Sequence, residues 1–91
     1  MSYRLLYLPL ANKDIKKLDN SIKPLIKKAL LRLADNPMLG KPLTENLKDY
    51  FSYRVSSYRI IFTLRNRELI VIIVSISHRR EVYEKLRKLL K

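Results

Sequence analysis

Apolar positions follow two different rhythms along this 91-residue chain. From residue 11 to residue 34 they recur at helical spacing, while at residues 3–8 and after residue 50 they gather into short runs. Residues 3–8 (YRLLYL) form an apolar and aromatic run that stops at Pro9, which predicts a short strand. Ala11, Ile15 and Leu18 follow at i, i+4 and i+7, with Lys13, Lys16 and Lys17 on the other side, which predicts a short amphipathic helix. Asp19-Asn20-Ser21 interrupts it. Ser21 is placed to cap a second helix, and Pro24 falls in that helix's first turn, where a missing N–H does little harm. Ile22, Leu25, Ile26, Ala29, Leu30, Leu33 and Ala34 then keep helical spacing until Asn36-Pro37 ends it. So short a connection between two helices predicts a hairpin.

Residues 37–49 read as a loop containing Pro37, Pro42 and the only glycine, Gly40. Beyond it the pattern predicts strands over 53–56, 58–64 and 69–77, with a turn at Ser56-Ser57 and a polar hairpin loop at 65–68. The last of these (LIVIIVSIS) has no polar alternation, as expected of a central strand buried on both faces. Residues 78–91 predict a C-terminal helix with Val82, Leu86, Leu89 and Leu90 on one face and Arg80, Tyr83 and Arg87 on another. The order is strand, helix, helix, three strands, helix. It predicts an α+β fold over residues 1–91 as a single domain: a small, mainly antiparallel sheet, the N-terminal helical hairpin on one face and a short C-terminal helix. Such a helix covers only part of the second face, so some apolar surface is expected to be left for a partner.

Composition narrows the function. At 47% apolar residues the chain can bury a core, which excludes a disordered basic tail. No apolar run reaches the roughly 18 residues of a membrane helix and no secretory leader is visible, so a cytoplasmic protein with no membrane partner is expected. Twenty Lys and Arg against eight Asp and Glu give a formal charge of +12, which calls for a polyanionic partner. The charge also changes type along the chain. The first third is mostly lysine; the last carries Arg54, Arg59, Arg65, Arg67, Arg79, Arg80 and Arg87. Because guanidinium grips phosphate with a planar fork, a phosphate site is expected in the second half.

The residues exclude more chemistry than they allow. With no cysteine and one histidine, neither a metal site nor a cofactor is expected. No serine sits in a G-x-S-x-G turn, and Gly40 alone cannot cradle phosphates. Arginine, tyrosine and His78 remain. That set suits one hydrolysis: cleavage of RNA by its own 2′-hydroxyl, with cations around the dianionic phosphorane and aromatic rings holding splayed bases. Arg59 stands inside an otherwise apolar strand, where a charge needs a purpose or a partner; a structural ion pair is the plain alternative. Arg79 and Arg80 stand at the N-terminus of the predicted helix, the unfavourable end for cations; plain surface charges are the alternative.

Three stretches together resemble the RelE/ParE superfamily of toxins from toxin–antitoxin pairs. They are the basic hairpin 13–18 with 26–37, the Gly40-Lys41-Pro42-Leu43 turn leading to Tyr53-Arg54-Val55 and Tyr58-Arg59-Ile60-Ile61-Phe62, and His78-Arg79-Arg80-Glu81-Val82-Tyr83. The resemblance implies a cognate RelB-like antitoxin with an acidic binding segment. For the RelE branch it implies cleavage of mRNA in the ribosomal A site. By the same resemblance Arg59 binds the scissile phosphate, Arg79 or Arg80 is the second catalytic arginine, and Tyr83 stacks on or orients a base. Arg54, His78 and Lys48 are expected to contact the substrate. Well-known members carry two lysines where this chain has Arg54 and Ser56; arginine stays protonated, so the general base is left open. The ParE branch implies inhibition of DNA gyrase instead, and a non-catalytic basic module is the third expectation.

Overall fold

The computed structural model describes residues 2–43, 49–78, 81 and 84. The chain forms β1 (Arg4–Tyr7), α1 (Pro9–Lys17), α2 (Lys23–Asp35), a 3-10 turn (Pro37–Leu39), β2 (Lys41–Pro42), β3 (Phe51–Val55), β4 (Tyr58–Arg65) and β5 (Ile70–His78). The expected C-terminal helix falls outside the described residues apart from Glu81 and Glu84.

Pro9 ends β1 because it has no N–H to give the sheet, and its fixed φ opens α1. Lys16 and Lys17 occupy the last turn of α1, the favourable end of the helix dipole for cations. Pro24 lies in the first turn of α2 as expected, but Ser21 does not cap that helix; Ile22 takes the cap position and no side chain bonds there. The backbone does the work instead: the N–H groups of Ile22 and Lys23 both donate to the Asp19 carbonyl, at 3.0 and 3.2 Å. At the other end the Asn36 carboxamide accepts from the Met38 N–H at 3.2 Å and turns the chain into the 3-10 segment.

The five strands lie in the order β1-β5-β4-β3-β2. Three pairings are antiparallel, but β1 runs parallel to β5, so the sheet is mixed. The expected loop over 37–49 yields the short edge strand β2, which pairs Lys41 with Ser52 and Pro42 with Phe51. Strand β5 is interior and buried along almost all its length, as its unbroken apolar run predicts, although the middle place belongs to β4. Between β4 and β5 the register slips at Ile61/Phe62, whose partners are Ser75 and Ile73; the bulge leaves Val74 unopposed.

The helical hairpin covers one face. Ala11, Leu18, Ile26, Ala29, Leu30 and Leu33 pack on Ile60, Phe62, Val71, Ile73 and Ile76. Leu33 and Phe62 are fully buried, and Phe62 stacks on Phe51 with ring centroids 5.5 Å apart. Truncating one such residue to alanine typically costs about 2–5 kcal/mol, a large part of what a domain this small has. Ile61 and Val74 form a smaller cluster on the other face with Leu8, Leu43 and Tyr50.

Candidate nucleic-acid interface

The turn at Ser56-Ser57 fixes the register of β3 on β4, and that register sets the site. Arg54 stands directly opposite Arg59, and Arg59 stands opposite Ser77 of β5. Opposed residues share a face, and alternation puts Ile60 and its neighbours against the hairpin. Arg54, Arg59, Ser77, Ser52 and Ile61 therefore share the face turned away from the helices. Two like charges directly opposed across strands weaken a sheet.

Arg59 is half-buried. Its Nη1 donates to the Ser52 hydroxyl at 3.3 Å, and its buried Nε meets no acceptor among the described residues. The structural ion pair open to Arg59 does not form among those residues, where the one salt bridge joins Arg65 to Glu68 at 3.7 Å. A guanidinium with a donor to spare among the described residues can bind an oxyanion.

His78 lies elsewhere. Its ladder partner is Tyr58, and the two rings sit 4.5 Å apart at 35°. That pair belongs to the hairpin face and lines a cleft of about 140 Å³ with Asp14, Lys17, Leu18 and Glu81. The structure thus joins Arg54 with Arg59 and sets His78 apart from them. Lys48, Arg79, Arg80 and Tyr83 lie outside the described residues.

Two contributors escaped the sequence reading. Ser52, 6% exposed, is the hydroxyl that holds Arg59. Asp14 is a buried carboxylate that accepts from the Ile76 N–H at 3.0 Å, the Ser75 hydroxyl at 3.0 Å and the Ser77 hydroxyl at 3.5 Å. The ladder from β1 ends at Tyr7–Ile73, so Asp14 closes the edge of β5 that β1 leaves uncovered. Its signal was present: Asp14 lies within the Ala11–Leu18 apolar stripe, between lysines that made it read as one more surface charge.

A helical hairpin on one face of a five-stranded sheet is the fold that this chain shares with solved RelE-type toxin structures. A family model described as the ParE toxin of the type II toxin–antitoxin system parDE matches residues 5–83, and the chain belongs to that family. Toxin RelG of Mycobacterium tuberculosis is 29% identical over 87 residues, spanning 93% of this chain and 100% of RelG. The toxin in a RelBE toxin–antitoxin complex from the same organism superposes with a TM-score of 0.81 at 27% identity, covering 87% of this chain and 93% of that one. A mutant of the Escherichia coli toxin RelE in the free state gives 0.79 over 100% of both chains; at 22% identity this is a likeness of fold.

Proposed function

We propose that this toxin is a metal-independent, ribosome-dependent mRNA endonuclease of the RelE type, neutralised by a RelB-like antitoxin. The observation that carries the reading is Arg59: half-buried, opposed to Arg54, and holding an Nε that no described residue uses. In the reaction the RNA 2′-oxygen attacks the adjacent phosphorus while a base removes its proton. The phosphorane carries two negative charges; then the 5′-oxygen leaves with a proton from an acid, and a 2′,3′-cyclic phosphate remains. Arg59 binds the scissile phosphate and Arg54 adds charge beside it, so both act where charge develops. Arg79 or Arg80 and Tyr83 take the second-cation and base-stacking roles that the family resemblance gives them. His78, on the hairpin face, contacts the message outside the scissile phosphate.

The test is induction of the chain without its partner, with mapping of mRNA 5′ ends. Cuts within translated frames are expected, and Arg59→Ala should lower their rate by about 10²–10³-fold, as loss of a charge-stabilising donor does. The family model favours a second reading, inhibition of DNA gyrase, because it describes a ParE toxin. Growth arrest with intact mRNA and a DNA-damage response would select it. A folded chain without effect at any expression level would leave a basic binding module.

A further inference from the structure

The sheet face turned away from the helices carries its side chains in rows across the strands. One row runs Lys41, Ser52, Ile61 and Ser75 from β2 to β5, and the next runs Arg54, Arg59 and Ser77. The Arg59 side chain does not stay in its own row. Its guanidinium donates to the hydroxyl of Ser52, two residues back along β3 from Arg54. Diagonal neighbours of this kind lie about 7–8 Å apart, within reach of a long side chain. Arg59 thus leans away from the like charge opposite it, and Ser52 is where it is held.

The sheet fixes that hydroxyl in place. Ser52 is buried, and it pairs on both sides, with Lys41 of β2 and Ile61 of β4. Ile61 belongs to the smaller apolar cluster, so the ground beside Ser52 offers little else to bond. The bond takes Nη1, the guanidinium nitrogen on the Cδ side. The opposite edge of the fork carries Nε–H beside Nη2–H, two parallel donors that match two oxygens of a phosphate. Nε meets no acceptor among the described residues. The place of the hydroxyl therefore decides which edge of the fork is left for a ligand. At 3.3 Å the bond is longer than the roughly 2.9 Å that is usual, so it gives direction more than it stabilises the fold.

We propose that Ser52 is a positioning residue for RNA cleavage: its hydroxyl holds the Arg59 guanidinium by Nη1 and so presents the Nε–Nη2 edge to the scissile phosphate. The inference rests on the nuclease reading and adds a residue to it. A preset fork has no reorientation left to make as charge develops on the phosphorane. The plain alternative is a serine that only fills a polar gap in the sheet. That role predicts a loss of stability and no loss of rate that depends on Arg59.

The test is single-turnover cleavage of a defined message on purified ribosomes, with the purified toxin in excess. Ser52→Ala keeps every charge and removes the tether. It should lower the rate at saturating toxin by at least about tenfold, since a misplacement of about 1 Å costs up to about 10²-fold. The toxin concentration at half-saturation should move less than about twofold, because the cations that bind the ribosome all remain. In an Arg59→Ala background the same substitution should change the rate by less than about twofold, as a residue acting through Arg59 must. Nitrogen-15 relaxation of the free toxin supplies a readout without RNA: Ser52→Ala should mobilise the Arg59 Nε–H and leave that of Arg54 unaltered. A full rate in Ser52→Ala, an equal loss with and without Arg59, or an unmoved Arg59 side chain would overturn the proposal. So would a Ser52→Ala chain that fails to fold, since the hydroxyl would then belong to stability. A parent toxin that leaves mRNA intact would overturn the nuclease reading and this inference with it. A parent that cuts, beside a Ser52→Ala variant that cuts as fast, removes this inference alone.

Discussion

The role proposed for Arg59 sets it against the stability of the sheet around it. Among the described residues its buried Nε meets no acceptor, and the residue opposite it on β3 is Arg54. Replacement by a flexible apolar side chain removes the unsatisfied donor and the repulsion together. Arg59→Met is therefore expected to raise stability by about 1–3 kcal/mol while abolishing cleavage, read by thermal unfolding beside the mRNA assay. A variant that melts lower than the parent would make Arg59 a structural residue. Ser56 offers a second test at this scale. It adopts φ of 55° in the β3–β4 turn, a region that disfavours side chains. Ser56→Gly should stabilise the chain by up to about 1 kcal/mol in urea unfolding, with the register of Arg54 on Arg59 unchanged.

Among the elements, α1 and β5 are joined by the Asp14 carboxylate and three donors. Asp14→Ala leaves the Ile76 N–H and two buried hydroxyls without it, and should cost about 2–4 kcal/mol in chemical denaturation. Asp14→Asn keeps an acceptor for the N–H and should cost visibly less. Gly40 tests the junction with β2, since any side chain there meets the Phe62 ring. Gly40→Ala should cost about 1–3 kcal/mol as overpacking. These elements also show what a linear pattern can carry. The stripe of α2 was legible because seven apolar residues share one period, yet the helix buries only Ile26, Ala29, Leu30, Leu33 and Ala34 and leaves Leu25 49% exposed. Strand β2 was not legible, because two residues have no period and Lys41-Pro42 pairs only where β3 brings an edge to it. Arg59 stood out as a charge in an apolar run. Ser52 and Asp14 did not, because their partners lie 7 to 63 residues away in the chain.

Taken whole, the molecule is dominated by a charge of +12 on a chain of 10.9 kDa. Self-repulsion of that size destabilises the compact state, and salt screens it. The melting temperature of the free toxin is therefore expected to rise as ionic strength goes from about 0.01 to 0.15 M, over which the Debye length shrinks from about 30 to 8 Å. Bound to an acidic partner the chain should lose that dependence, because its charges are then neutralised. A free protein that melts independently of salt would show that its cations are spaced widely enough not to interact.

The parallel pairing of β1 with β5 ties Arg4–Tyr7 to a strand that is synthesised after both helices and the other strands. At about 5–20 residues per second, β1 and both helices exist for several seconds before Ile70–His78 can meet them. During that interval the hairpin has no β5 to pack on, and Asp14 has no donors from it. A chain stopped at Leu69 should accordingly show no cooperative unfolding. Translation itself thus acts as a timer on this fold, and a partner made alongside it can be waiting before the last strand closes the sheet.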